Sequence, residues 1–125
     1  MSEWIYFLHP PRDNFAATIT DEEEEIWQHH FLRLQQLLND GVLVLAGPTL
    51  GRVNTGIAVF EAPDEESARA IMNDDPVIAG GYAKGELRPY RISLLRGRDR
   101  SSERSLLGLL GFTLSPTSEA TLTPL

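Results

Sequence analysis

The chain has 125 residues, a formal net charge of −7 and a pI near 4.8, with 42% hydrophobic and 23% charged residues. That length and composition suit one ordinary globular domain. The acidic balance argues against a nucleic acid partner, since Lys and Arg must replace the counterions that a phosphate backbone releases. With no cysteine, disulfides, thiolate nucleophiles and cysteine metal sites are excluded.

No run of about 18 apolar residues offers a membrane span, and the start of the chain lacks the basic-then-apolar pattern of a signal peptide. A cytoplasmic, non-membrane protein is the expectation. From Trp4 to His9 nearly every residue is aromatic or aliphatic, until Pro10-Pro11 removes two backbone donors and stops the strand. An irregular stretch follows from Arg12 to Ile19. Thr20 and Glu23 then have the spacing of a capping box, and the run Glu22 to Glu25 suits the positive end of a helix dipole. Ile26, Trp27, Phe31, Leu34, Leu37 and Leu38 recur at helical intervals until Asn39-Asp40-Gly41, so a long helix ends near Asp40.

Val42 to Ala46 and Gly56 to Phe60 read as two paired strands, separated by Gly47-Pro48 and the turn-rich Gly51 to Asn54. Asp64 caps a second helix, which stops before Asp75-Pro76 because the residue preceding proline avoids the α conformation. A last strand is expected from about Leu87 to Leu95. The order βαββαβ defines an α+β, ferredoxin-like fold, an antiparallel sheet with two helices on one face. It covers residues 1–96. The tail, 97–125, has a different character: Arg96, Arg98, Arg100 and Arg104 are interrupted by Asp99 and Glu103 and read as a solvated linker, followed by the apolar Leu106 to Phe112. It either docks on a partner subunit or is partly disordered.

An antiparallel sheet with one wet face alternates apolar and polar residues. Here Trp4, Tyr6 and Leu8 oppose Ile5 and Phe7, Val42 and Val44 oppose Leu43 and Leu45, and Ile57 and Val59 oppose Ala58 and Phe60. Both faces call for burial, and two helices cover one, so a homodimer meeting through the other face is expected. The competing reading has the tail fold over that face within one chain.

Three places could carry chemistry. At about 100° per residue, His30 falls about 40° from Leu34 on the apolar arc of the first helix, while His29 falls on the polar side. An inward imidazole suits proton transfer at neutral pH, or is simply a hydrogen-bonded core residue. Asp75, before Pro76, either caps a turn or holds an imidazole in one tautomer. His9 and Arg12, where the first strand opens into a loop, are candidate ligand contacts or surface decoration. No metal-ligand spacing, GxGxxG or Walker loop is present, so neither metal nor cofactor is expected.

The run His30-Phe31-Leu32-Arg33-Leu34, then Asp40-Gly41 and Ala46-Gly47-Pro48, followed by Ala68, Asp75-Pro76 and Arg88-Pro89-Tyr90, resembles the YciI-like (YCII-related) family. The likeness spans about residues 3–95. It implies a dimeric α/β barrel and an active site of His30 and Asp75, with His9 and Arg12 in a basic loop nearby. It also implies lyase- or isomerase-type chemistry on a small cyclic or phenolic substrate, the alternative being a non-catalytic ligand-binding or structural homodimer.

Overall fold

A computed structural model describes residues 1–97; the tail from 98 onward, with the expectations placed on it, lies outside the described residues. Met1–Arg91 form one compact unit. Residues 92–97 belong to the next unit and contain no helix or strand. The elements of the first unit are β1 (Ser2–His9), α1 (Phe15–Thr18), α2 (Asp21–Asn39), β2 (Leu43–Pro48), β3 (Gly56–Ala62), α3 (Glu65–Asn73), α4 (Pro76–Ala79) and β4 (Lys84–Tyr90).

The helix ends follow from local side-chain chemistry. Thr20 Oγ1 accepts from the Glu23 backbone N–H at 3.1 Å, and the Glu23 carboxylate accepts from the Thr20 N–H at 2.9 Å, which completes the capping box of α2. At the other end Gly41 takes φ 79°, a left-handed turn in which a side chain would be strained. Asp64 caps α3 by accepting from Ser67 N–H at 2.8 Å. The short helices α1 and α4 are additions to the expected order, each only four residues long.

The four strands pair antiparallel in the order β2-β3-β1-β4. This is the ferredoxin-like α+β arrangement. Trp4 stands opposite Phe60 and Tyr6 opposite Ala58, so these side chains share one face. They pack with Leu34 of α2, Ala68 and Met72 of α3 and Val77 of α4 in one core, which places the helices together on that face. The other face is apolar at its centre too: Ile5 and Val59 are opposite one another and only 9% and 4% exposed. Phe7 faces Ile57 beside them. No helix among the described residues is long and apolar enough to cross a membrane.

The last strand differs from its expected bounds, running from Lys84 to Tyr90 rather than from Leu87 to Leu95. Register explains it. β1 begins at Ser2, and its Glu3 already pairs with Tyr90, so residues beyond Tyr90 run off the end of their partner. At the near end Leu8 pairs with Gly85 and His9 with Lys84, which turns a stretch that reads as a polar turn into ladder. Gly85 is where this strand passes closest to the helices: a Cβ there would lie 2.7 Å from Ile78 Cδ1 and 2.9 Å from Met72 Sδ. Gly85→Ala is expected to lower stability by about 1–3 kcal/mol through overpacking. A drop in urea midpoint at unchanged m-value would show it.

Candidate active site

Asp75 is placed by the turn that its own sequence builds. Pro76 cannot donate a backbone hydrogen bond and has the fixed φ of a first helical residue, so it opens α4 and leaves Asp75 as the N-cap. One carboxylate oxygen accepts from Val77 N–H at 3.1 Å. The side chain is 1% exposed, so every remaining lone pair must be met by protein.

Two side chains meet them. His30 Nδ1 lies 2.9 Å from Oδ1 and 2.8 Å from Oδ2, and the Tyr6 hydroxyl donates to Oδ2 at 2.5 Å. Burial alone would push the Asp75 carboxyl up, but the hydrogen bond and charge of His30, the Tyr6 hydroxyl and the Val77 N–H outweigh it and hold Asp75 below its usual value. Asp75 is therefore an anion, and an anion only accepts hydrogen bonds. Nδ1 of His30 must carry a hydrogen, and whenever the ring is neutral Nε2 is left with a lone pair. Burial, then the neighbouring Asp75 charge, raises the Tyr6 phenol far above its ordinary range, while Arg33 pulls it part of the way back. Tyr6 is a neutral donor here.

His30 and Tyr6 both line a cavity of about 780 Å³ between α2 and the sheet. Its walls are largely apolar, with Trp27, Leu34, Leu43 and Ala58 among them. Asn54 also lines it, but its amide is committed: Nδ2 donates to the Thr49 and Gly51 carbonyls and Oδ1 accepts from Ala16 N–H. One end is walled by α1, where Phe15 is buried with its ring centroid 4.5 Å from that of Trp27. His29 is exposed and does not line this cavity.

Arg12 lies outside the cavity lining and fastens that wall. Its guanidinium makes a two-pronged contact with Glu23 at 2.9 and 2.8 Å, donates to the Thr18 carbonyl at 2.6 Å, and sits 5.1 Å above the Phe15 ring. Arg12 hydrogen bonding, followed by the Thr20 backbone N–H, lowers the Glu23 carboxyl to about 2. His9 Nε2 contacts Glu86 Oε1 at 3.1 Å, across the β1–β4 pair, and does not line the cavity either. So the structure brings His30 and Asp75 together and sets His9 and Arg12 apart from them.

Tyr6 was not among the candidates read from sequence. The alternation of β1 puts Tyr6 with Trp4 and Leu8, so a signal existed. What the sequence lacked was which face of β1 meets the helix. Among the described residues, no group of three or more His, Asp and Glu side chains is arranged to hold a metal ion.

Fold and site together define a small α+β, ferredoxin-like domain with a histidine and a carboxylate joined at the edge of an apolar cavity. A family model, the YCII-related domain, matches residues 4–91, and the chain belongs to that family. Among solved structures it is similar to a 5-chloro-2-hydroxyhydroquinone dehydrochlorinase from Burkholderia phenoliruptrix, in complex with 2,5-dihydroxybenzoquinone. The TM-score is 0.54 at 14% identity, covering 70% of this chain and 93% of that one, a likeness of fold. No curated protein matches the sequence.

Proposed function

We propose that the chain is an enzyme of lyase or isomerase type, in which His30 takes a proton from a small cyclic or phenolic substrate held in the cavity. The observation that carries this reading is the contact of Nδ1 with a buried, ionised Asp75, which leaves Nε2, without a hydrogen-bond partner among the described residues, as the available nitrogen of a residue that lines the cavity. Nε2 removes the proton and the imidazolium forms next to the Asp75 carboxylate, which stabilises it without taking the proton itself. The electron pair left on the substrate then either forms a double bond as an anionic leaving group departs, or is reprotonated at another carbon by the same imidazolium. A cavity walled by Trp27, Leu34 and Leu43 suits a flat, mostly apolar ring. The solved neighbour's hydroxylated quinone ligand is a molecule of that shape. Arg12 serves the ligand at second hand, by seating Phe15 in the cavity wall, and His9 stands beside Pro10, which lines it.

The test compares wild type with His30→Gln on a panel of small phenols and hydroxylated quinones, by calorimetric binding and by absorbance-monitored turnover. Wild type is expected to bind and convert at least one compound, and the variant to bind it without conversion. Saturable binding by both proteins with conversion by neither would make the cavity a non-catalytic ligand site instead.

The same reading includes a homodimer. It is supported by Phe7 and Ile57, apolar residues on the sheet face away from the helices that are only partly buried within one chain. Light scattering at micromolar concentration is expected to give twice the chain mass; a monomer would remove the dimer from the proposal.

A further inference from the structure

Tyr6 stands on β1 with its ring in the core, opposite Ala58 and edge-on to Phe60 at 5.8 Å between ring centroids. A phenylalanine would make the same ring contacts, so packing accounts for the ring and leaves the hydroxyl to be explained. That hydroxyl donates to Asp75 Oδ2 at 2.5 Å, the length of a charge-assisted bond between an O–H and an anionic oxygen. His30 Nδ1 reaches the same oxygen at 2.8 Å. Two donors therefore draw on one oxygen of one buried anion. The groups around His30 that carry charge or a titrating proton are Asp75, at the start of α4, and Tyr6, from β1. Among the described residues that line the cavity, β2 and β3 bring none. Arg33, on α2 itself, places its Nη2 on the Ile71 carbonyl at 2.9 Å.

We propose that Tyr6 is a positioning residue of the site: its hydroxyl takes up part of the Asp75 charge, so that the imidazolium formed on His30 is held loosely enough to give its proton back. The inference rests on the reading of His30 as the base. In each turnover Nε2 takes one proton from the substrate and must return it, to another substrate carbon or to water, before the next. A carboxylate in the low dielectric of the core attracts a neighbouring imidazolium more strongly than one in water does. With His30 as its only side-chain donor, Asp75 would hold the imidazolium more firmly and leave Nε2 with a lone pair only at higher pH. A hydrogen bond from Tyr6 stabilises the carboxylate on its own account, which weakens what the anion offers to the next donor. The phenol remains a neutral donor throughout, because burial holds it far from ionising. Tyr6 thus loosens the grip of Asp75 on the proton without competing for that proton itself.

The experiment is an NMR pH titration of the full ¹⁵N-labelled chain, following the ring nitrogens of His30 in wild type and in Tyr6→Phe. The midpoint of His30 protonation is expected to rise by about 0.5–1 pH unit in the variant, a fraction of what one hydrogen bond to a charged group contributes. Adding Tyr6→Phe to Asp75→Asn is expected to move the midpoint much less, since the charge to be shared is gone; Arg33 is present in every protein compared. An unmoved midpoint in Tyr6→Phe, or an equal rise without the carboxylate, overturns the proposal. A purely structural hydrogen bond would give the first of these results, changing the unfolding midpoint and leaving the His30 titration where it was. Should Tyr6→Phe fail to fold, 3-fluorotyrosine at position 6 keeps the shape of the ring and donates more strongly. There the His30 midpoint is expected to fall, and a midpoint that stays or rises overturns the proposal equally. If the titrations shift as expected while His30→Gln converts, at the wild-type rate, the phenol or quinone that wild type converts, the role of Tyr6 on the imidazole stands and the reading of His30 as the base falls. The two failures are therefore distinct.

Discussion

Asp75→Ala is expected to destabilise the fold by about 3–5 kcal/mol, the range found when one member of a buried charged hydrogen-bonded set is removed. Three donors lose their acceptor at once: His30 Nδ1–H, the Tyr6 hydroxyl and the Val77 N–H. Tyr6 is only 2% exposed, so water cannot replace the carboxylate without entering the core. Urea unfolding at pH 7 measures the loss, and a change below about 1 kcal/mol would contradict the account of Asp75 as the common acceptor. Asp75→Asn keeps one oxygen acceptor and should lose less.

The same carboxylate shapes the acid limb of stability. Its value in the folded protein lies below its unfolded value of about 3.9, so its contribution is complete above that pH and fades as pH falls through the lower, folded value. Stability of wild type should therefore decline below about pH 4, and Asp75→Asn should decline less steeply over the same window. Glu23 adds to that decline between its ordinary 4.5 and about 2, and does so in both proteins. Unfolding midpoints at pH 7 and at pH 3 separate the two contributions.

His30→Gln is expected to lower turnover by about 10²–10⁴-fold, the usual contribution of a positioned general base. The substrate constant should change little, because the cavity walls are made by other residues. Gln retains an N–H able to reach Asp75, so the fold should persist and the effect should fall on kcat. A variant with wild-type kcat would place the base elsewhere in the cavity, with Tyr6 the next residue to replace.

How far this site can be read from a single sequence differs from residue to residue. The inward setting of His30 follows from its place between Ile26 and Leu34, because a 19-residue helix gives periodicity room to show. The capping box is legible for a different reason: Thr20 and Glu23 act on backbone three residues away, without tertiary help. Asp75 reads from its own position as a turn cap or an imidazole partner and is joined to His30 only by the family resemblance, since its N-cap role is local while its contact with His30 spans 45 positions. The helices α1 and α4, four residues each, are too short for periodicity to reveal. The bounds of β4 depend on where β1 starts and stops, which Leu87 to Leu95 do not encode. Tyr6 becomes visible as a donor to Asp75 only when β1 is set against the start of α4.

The two outer strands bear on how readily this sheet pairs edge to edge with another. β2 carries a bulge between Leu43 and Leu45 and ends in Gly47-Pro48, while β4 holds Pro89 within its ladder to β1. A bulge bends the rim out of line with an incoming strand, and a proline on an edge strand removes a donor from its outer side. Neither border of the sheet offers the straight, unbroken row of amides on which fibrils grow. A protein blunted at both borders can expose apolar strands while it folds and still be poorly suited to end-to-end stacking, which favours closed assemblies of fixed size over open-ended ones.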